Sequence, residues 1–162
     1  NFQLVKIIDL MENNIENLEP GLFSNLLSLI ELDLGYNNIR ILKKNTFLNL
    51  TNLKHLSLQY NKIDLIEPGA FNSLISLQIL LLTKNLLISL DRLVLFGLRS
   101  LVILGLGSNN IKSINGKTFD NFPNLIEINL HNNKIKEIDK NSFQNLISLH
   151  YLVLSNNQLD LA

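Results

Sequence analysis

The residues able to carry acid–base or nucleophilic chemistry are few. Three histidines, His55, His131 and His150, are the side chains whose ordinary titration falls near neutrality. They stand far apart along the chain, whereas a metal site needs its ligands at close, regular spacing. With no cysteine there is no thiolate nucleophile, zinc knuckle or disulfide framework. Ser57 lies near His55 but has no adjacent carboxylate to complete a relay. The run Gly105-Leu106-Gly107 lacks the strand-to-helix setting of a phosphate loop. Catalytic, cofactor and metal sites are therefore all predicted to be absent, and the chain reads as a non-enzyme.

The organisation lies elsewhere, in a fixed spacing. The stretch from Leu53 to Asn61 follows L-x-x-L-x-L-x-x-N, and its asparagine returns at Asn13, Asn37, Asn61, Asn85, Asn109, Asn133 and Asn157, every 24 residues. A repeat of this length means a solenoid, in which each copy buries its apolar row only against its neighbours. With Leu53 as position 1, positions 1, 4 and 6 are apolar in all seven copies, from Val5, Ile8 and Leu10 to Leu149, Leu152 and Leu154. Positions 4 and 6 share the period of a strand, so they face inward while positions 3 and 5 face out. Further inward positions follow, such as Ile63 and Ile66, then Phe71 and Leu74.

Stacked copies pair their short strands in parallel about 4.8 Å apart, so seven strands extend roughly 29 Å. The opposite side must hold the bulky Phe23, Phe47, Phe71, Phe119 and Phe143, and the stack is predicted to curve with its strands on the inner, concave face. The asparagines fall where the chain leaves each strand and are assigned to a buried amide ladder. The phenylalanines are assigned to core. The repeat fills the chain, which predicts one array over residues 1–162 with no linker. Neither end carries an atypical polar copy, and the sequence reads as a stretch of a longer array whose apolar edges are covered by further coils.

The outward positions hold the binding candidates. Copies one and two place Asp9, Glu12, Glu31 and Asp33 together, an acidic group that is either a solvated face or a rim steering a basic partner. Tyr36 and Tyr60 share position 8 in neighbouring copies, with His55 beside them at position 3. Exposed tyrosine is enriched in binding hot spots, although in proteins that this chain resembles it is also common filler at this position. Copy four departs most from the pattern. Leu95 stands in the phenylalanine column with Phe96 beside it, Asp91-Arg92-Leu93-Val94 replaces Glu67-Pro68-Gly69, and a shifted or more helical segment is predicted. Its outward residues Ile79 and Leu81, with Ile103, Gly105 and Gly107 of copy five, predict an exposed aliphatic patch beside glycines that admit another backbone. His131, His150, Tyr151 and Val153 are further outward candidates.

Lys plus Arg equals Asp plus Glu at 14 each, and a neutral chain without a basic stripe is not expected to bind nucleic acid. The most apolar window, residues 77–90, is interrupted by Gln78, Thr83, Lys84 and Asn85 and is not a membrane span. One glycosylation sequon, Asn49-Leu50-Thr51, falls on the side opposite the strands.

The full pattern, L-x-x-L-x-L-x-x-N-x-I-x-x-I-x-x-x-x-F-x-x-L-x-x, resembles the typical 24-residue subclass of leucine-rich repeats over all 162 residues. That subclass is similar to the repeats of Toll and Toll-like receptor ectodomains, Slit-type guidance proteins, adhesion proteins and small matrix proteoglycans. The resemblance implies an α/β leucine-rich repeat solenoid with an irregular, 3-10 or short helical convex side. It also implies an extracellular setting, secreted or at the cell surface, with an intracellular scaffold as the other option. The function expected is recognition of a protein partner through the concave face. Ile79, Leu81, Ile103 and Gly105 form the apolar anchor, flanked by Tyr36, His55 and Tyr60, with Asp9, Glu31 and Asp33 as the rim. Alternatives are a structural, adhesion or matrix scaffold that self-associates through its ends, and a secreted effector or inhibitor.

Overall fold

The computed structural model describes residues 2–160; Asn1, Leu161 and Ala162, which the expected array includes, lie outside the described part. After a single 3-10 turn at Phe2–Leu4, each copy contributes a three-residue strand at positions 3 to 5. These are β1 (Ile7–Asp9), β2 (Glu31–Asp33), β4 (His55–Ser57), β6 (Ile79–Leu81), β7 (Ile103–Gly105), β9 (Glu127–Asn129) and β11 (Tyr151–Val153). They form one seven-stranded parallel sheet in the order β1-β2-β4-β6-β7-β9-β11. Every pairing joins residues 24 apart, as in Leu32 with Leu56 and Leu80 with Leu104. The register cannot slip, because a one-residue shift would turn the inward leucines to solvent.

The core runs the length of the stack. Leu32, Leu56, Leu80, Leu104 and Ile128 at position 4 are all buried, as are Leu34, Leu58, Leu82, Leu106 and Leu130 at position 6. On the far side Phe23, Phe47 and Phe71 stack ring on ring at centroid spacings of 6.5 and 5.9 Å, and Phe119 stacks on Phe143 at 5.8 Å. Leu95, buried in the same column, separates the two runs.

The asparagine ladder forms as the pattern predicts. Asn61 donates through Nδ2 to the carbonyls of Leu58 at 3.1 Å and of Leu34, one coil earlier, at 2.9 Å. Its Oδ1 accepts the Ile39 N–H at 3.0 Å. One amide thus satisfies backbone groups of two coils that the turn would otherwise leave unpaired.

The side opposite the sheet is built from turns, and no α-helix occurs among the described residues. Two smaller parallel sheets that the repeat pattern does not announce form at positions 13 and 14. They are β3 (Ile41–Leu42) with β5 (Leu65–Ile66), and β8 (Ser113–Ile114) with β10 (Glu137–Ile138). The fourth copy interrupts both this ladder and the ring stack. Its convex segment is built from turns and a bend and does not become the more helical segment that its sequence suggests. Gly97 takes φ +104°, outside the helical region, and sits so close to the third coil that a β-carbon there would stand 3.0 Å from the Asn72 Cα.

Candidate binding face

Parallel register converts the outward positions into straight columns. Position 3 reads Ile7, Glu31, His55, Ile79, Ile103, Glu127 and Tyr151 from one end to the other, and position 5 reads Asp9, Asp33, Ser57, Leu81, Gly105, Asn129 and Val153. The strand face is therefore acidic at the first two coils, aromatic and polar at the third, and aliphatic at the fourth and fifth. The structure brings all the predicted partner-binding residues onto this one face or its edge.

The acidic group has a local task that its spacing does not disclose. Asp9 Oδ1 accepts the Met11 N–H at 2.9 Å and Asp33 Oδ1 accepts the Gly35 N–H at 2.7 Å. Asn129 repeats the arrangement, accepting the His131 N–H at 3.1 Å. A short acceptor at position 5 thus caps the turn after the strand, and only part of the acidic character is free to face a partner.

Position 8 has positive φ in every coil: Glu12, Tyr36, Tyr60, Lys84, Ser108, Asn132 and Asn156 fall between 53° and 58°. This left-handed conformation belongs to the repeat, and the asparagines at 132 and 156 are its sequence signal. A tyrosine costs more there than asparagine or glycine. Tyr36 and Tyr60 nonetheless lie ring on ring, with centroids 4.2 Å apart and planes 8° from parallel, each about two-fifths exposed. Hydrogen bonding to the Tyr60 side chain lifts the Tyr36 phenol above its usual titration range. Burial, the charge of Tyr60 and the Glu12 carboxylate act in the same direction.

The aliphatic patch is less open than the sequence predicts. Ile79, Leu81 and Ile103 are half-buried, and Gly105 and Gly107 are buried. In this register Leu81 leans over Gly105, its Cδ2 lying 3.1 Å from where a β-carbon would stand. The His131 imidazole fills the equivalent space at Gly107. The glycines make room for side chains of neighbouring coils, so the expectation that they admit a foreign backbone is corrected.

One constellation escaped the sequence reading. His131 Nδ1 lies 2.7 Å from Asn129 Oδ1, and its Nε2 lies 3.4 Å from Ser108 Oγ. The order Ser–His–Asn is that of a nucleophilic relay, and its signal was residues at positions 8, 7 and 5 of adjacent coils. An acyl-transfer site also needs donors for an oxyanion. The Ser108 N–H is committed to the His131 carbonyl at 2.8 Å, and Ser108 Oγ takes a further bond from Asn132 Nδ2 at 3.1 Å. The arrangement reads as a lateral network that fixes the imidazole. His55 stands exposed on β4, and His150 Nδ1 is 2.7 Å from the Ser148 carbonyl. No group of His, Cys, Asp or Glu among the described residues is placed to hold a metal ion. Asn49 and Thr51 of the sequon are both exposed, on the side away from the sheet.

A family model described as leucine rich repeat matches residues 3–63, 51–111 and 99–159. Among solved structures, the chain is similar to that of the TLR13–ssRNA13 complex, with a TM-score of 0.72 and 28% identity, covering 96% of this chain and 26% of that one. It is also similar to the Toll–Spatzle complex from Drosophila, with a TM-score of 0.82 and 24% identity, covering 97% of this chain and 24% of that one. The chain spans about a quarter of each of those chains. No curated protein matches it. With one 24-residue motif, a seven-stranded parallel sheet and a family model matching nearly its whole length, the chain belongs to the leucine-rich repeat family.

Proposed function

We propose that residues 1–162 form one uninterrupted array that acts as a non-catalytic recognition module, binding a protein partner through its strand face. The observation that carries this reading is the ordered change of chemistry along that face, from the carboxylates of Asp9, Glu31 and Asp33, through Tyr36, His55 and Tyr60, to Ile79, Leu81 and Ile103. An apolar anchor beside stacked aromatic rings and a charged rim is how affinity, specificity and on-rate are divided in protein interfaces. Gly105 enters as the seat on which Leu81 rests.

The similarity to Toll and TLR13 supports a place outside the cell or in the endosomal lumen, where Asn49 would be open to glycosylation. The solved neighbours include one complex with a single-stranded RNA and one with the protein Spatzle, so the family's scaffold serves more than one class of ligand. We favour a protein here because the strand face carries carboxylates at its first coils and aliphatic side chains at its centre. The test is affinity selection of extracellular proteins on the wild-type chain, followed by titration against L81D and I103D. Partners that lose at least tenfold in affinity to both variants, with circular dichroism unchanged, support the reading; unchanged affinity places the site elsewhere.

Self-association is the second reading. It is favoured by apolar side chains that point outward from the first and last strands, Ile7 and Tyr151, each 63% exposed. Mass in solution that rises with concentration, and persists when further coils cover these edges, would establish it.

A further inference from the structure

We infer that the groove on the side away from the sheet, between the fourth and fifth coils, is a second binding site, and that it takes an acidic peptide segment carrying aromatic or aliphatic side chains. The groove encloses about 580 Å³, within the range of sites that bind compact ligands. Its origin is the broken phenylalanine column. Elsewhere neighbouring coils are filled by stacked rings, as in Phe47 on Phe71 and Phe119 on Phe143. Leu95 is smaller, and Gly97 seats its segment tightly against the backbone of Phe71 and Asn72 in the third coil. The fourth coil offers Phe119 no ring on that flank; its ring partners are Phe143 of the sixth coil, stacked at 5.8 Å, and Phe122 of its own coil, edge-on at 6.3 Å.

Two features define the occupant. The first is apolar surface: Leu93 and Phe96 line the groove, each about half exposed, although a copy in pattern would carry one buried ring. The second is charge. Arg92 and Arg99 stand on the fourth-coil bank and Lys117 on the fifth. None of the three is in an ion pair, since among the described residues the one salt bridge joins Lys43 to Glu19. Asp120, the carboxylate in the groove, takes a bond from Asn145 Nδ2 at 3.3 Å instead. Three uncommitted cations around an apolar wall, in a chain whose overall charge is balanced, match a ligand with anionic and apolar groups together. A lone phosphate would leave Leu93 and Phe96 uncovered, whereas a peptide with alternating acidic and apolar residues covers both banks.

The experiment is fluorescence anisotropy of a labelled peptide alternating Glu with Leu and Phe, titrated with the chain. Saturable binding is expected that weakens as salt rises. It should fall at least tenfold in R99E/K117E and in F96S, while L81D on the strand face leaves it unchanged. All these side chains are exposed or half-buried, and circular dichroism checks that the variants keep the fold. No binding, or equal binding by the groove variants, overturns the proposal. So does equal binding of a peptide with Ser in place of Leu and Phe. Binding of phosphatidylserine vesicles without binding of the peptide also overturns it, and would mark the groove as a membrane-facing surface. Loss with L81D but not with R99E/K117E would assign the peptide to the strand face, separating failure here from failure of the recognition function proposed there.

Discussion

Asn85 reaches across a coil boundary to donate through Nδ2 to the Leu58 carbonyl at 2.9 Å, while its Oδ1 accepts the Ile63 N–H at 2.9 Å. A third bond, to the Leu82 carbonyl at 3.1 Å, closes its own turn. Asn85 is 4% exposed, so none of these groups can turn to water when the amide is removed. Each orphaned group costs about 1–3 kcal/mol, and Asn85→Ala should lower stability by at least about 3 kcal/mol. The control is Asn13→Ala. Asn13 is exposed and bonds only the Leu10 and Met11 carbonyls, so its loss should cost under about 1 kcal/mol. Equal denaturation midpoints for the two variants would defeat the ladder as an explanation of stability.

The ring column makes a graded prediction. Phe71 is fully buried against Phe47, and truncation to alanine should cost about 3–5 kcal/mol. Phe143 is only partly buried at the end of its run, with a stacked partner on one side. Phe143→Ala should therefore fall clearly below Phe71→Ala in urea denaturation. A larger loss at Phe143 would mean that the terminal coils, and not the central ones, limit the stability of the stack.

Much of this was legible because a repeat fixes registration. Once Asn61 and Asn85 are seen to be one period apart, Glu31, His55, Ile79 and Ile103 must form a column, and they do. What fills the spaces between columns was not legible. Whether Gly107 is open or covered depends on the rotamer of His131, which lies 24 residues away and is held by Asn129. Asp33 gave no sign that its carboxylate serves the Gly35 N–H, because Asp on an exposed strand position looks the same whether it caps a turn or faces water. Leu95 announced that the fourth coil would differ. That the difference opens a groove required knowing where Gly97 seats the chain, a matter of backbone packing that no periodicity encodes.

Gly107→Ala tests the lateral network directly. A β-carbon at this site overlaps the His131 imidazole, so the ring must leave and its contact with Asn129 must break. Forcing extra volume into a filled site costs about 1–3 kcal/mol. His131→Ala should relieve much of that penalty in the double variant, because the space it vacates is where the methyl goes. Additive losses in a double-mutant cycle would show that the ring does not occupy this space in solution.

The tyrosine pair predicts a pH dependence whose sign follows from its cause. Hydrogen bonding to the Tyr60 side chain favours the neutral Tyr36 phenol, so Tyr36 ionises in the folded protein at a higher pH than in the unfolded chain. A group raised in this way contributes stability that is fully present below its unfolded value near 10. That contribution is lost as pH climbs through the folded value. Ultraviolet titration of tyrosinate should show one of the three tyrosines ionising late, and Tyr60→Phe should bring that step down while leaving ring stacking possible. Glu12→Gln should move it down by less, because the carboxylate is the last of the causes acting on Tyr36. If Tyr60→Phe leaves the late step in place, the two phenols are not joined in solution. The stacked rings would then face a partner as independent groups and not as one ordered surface.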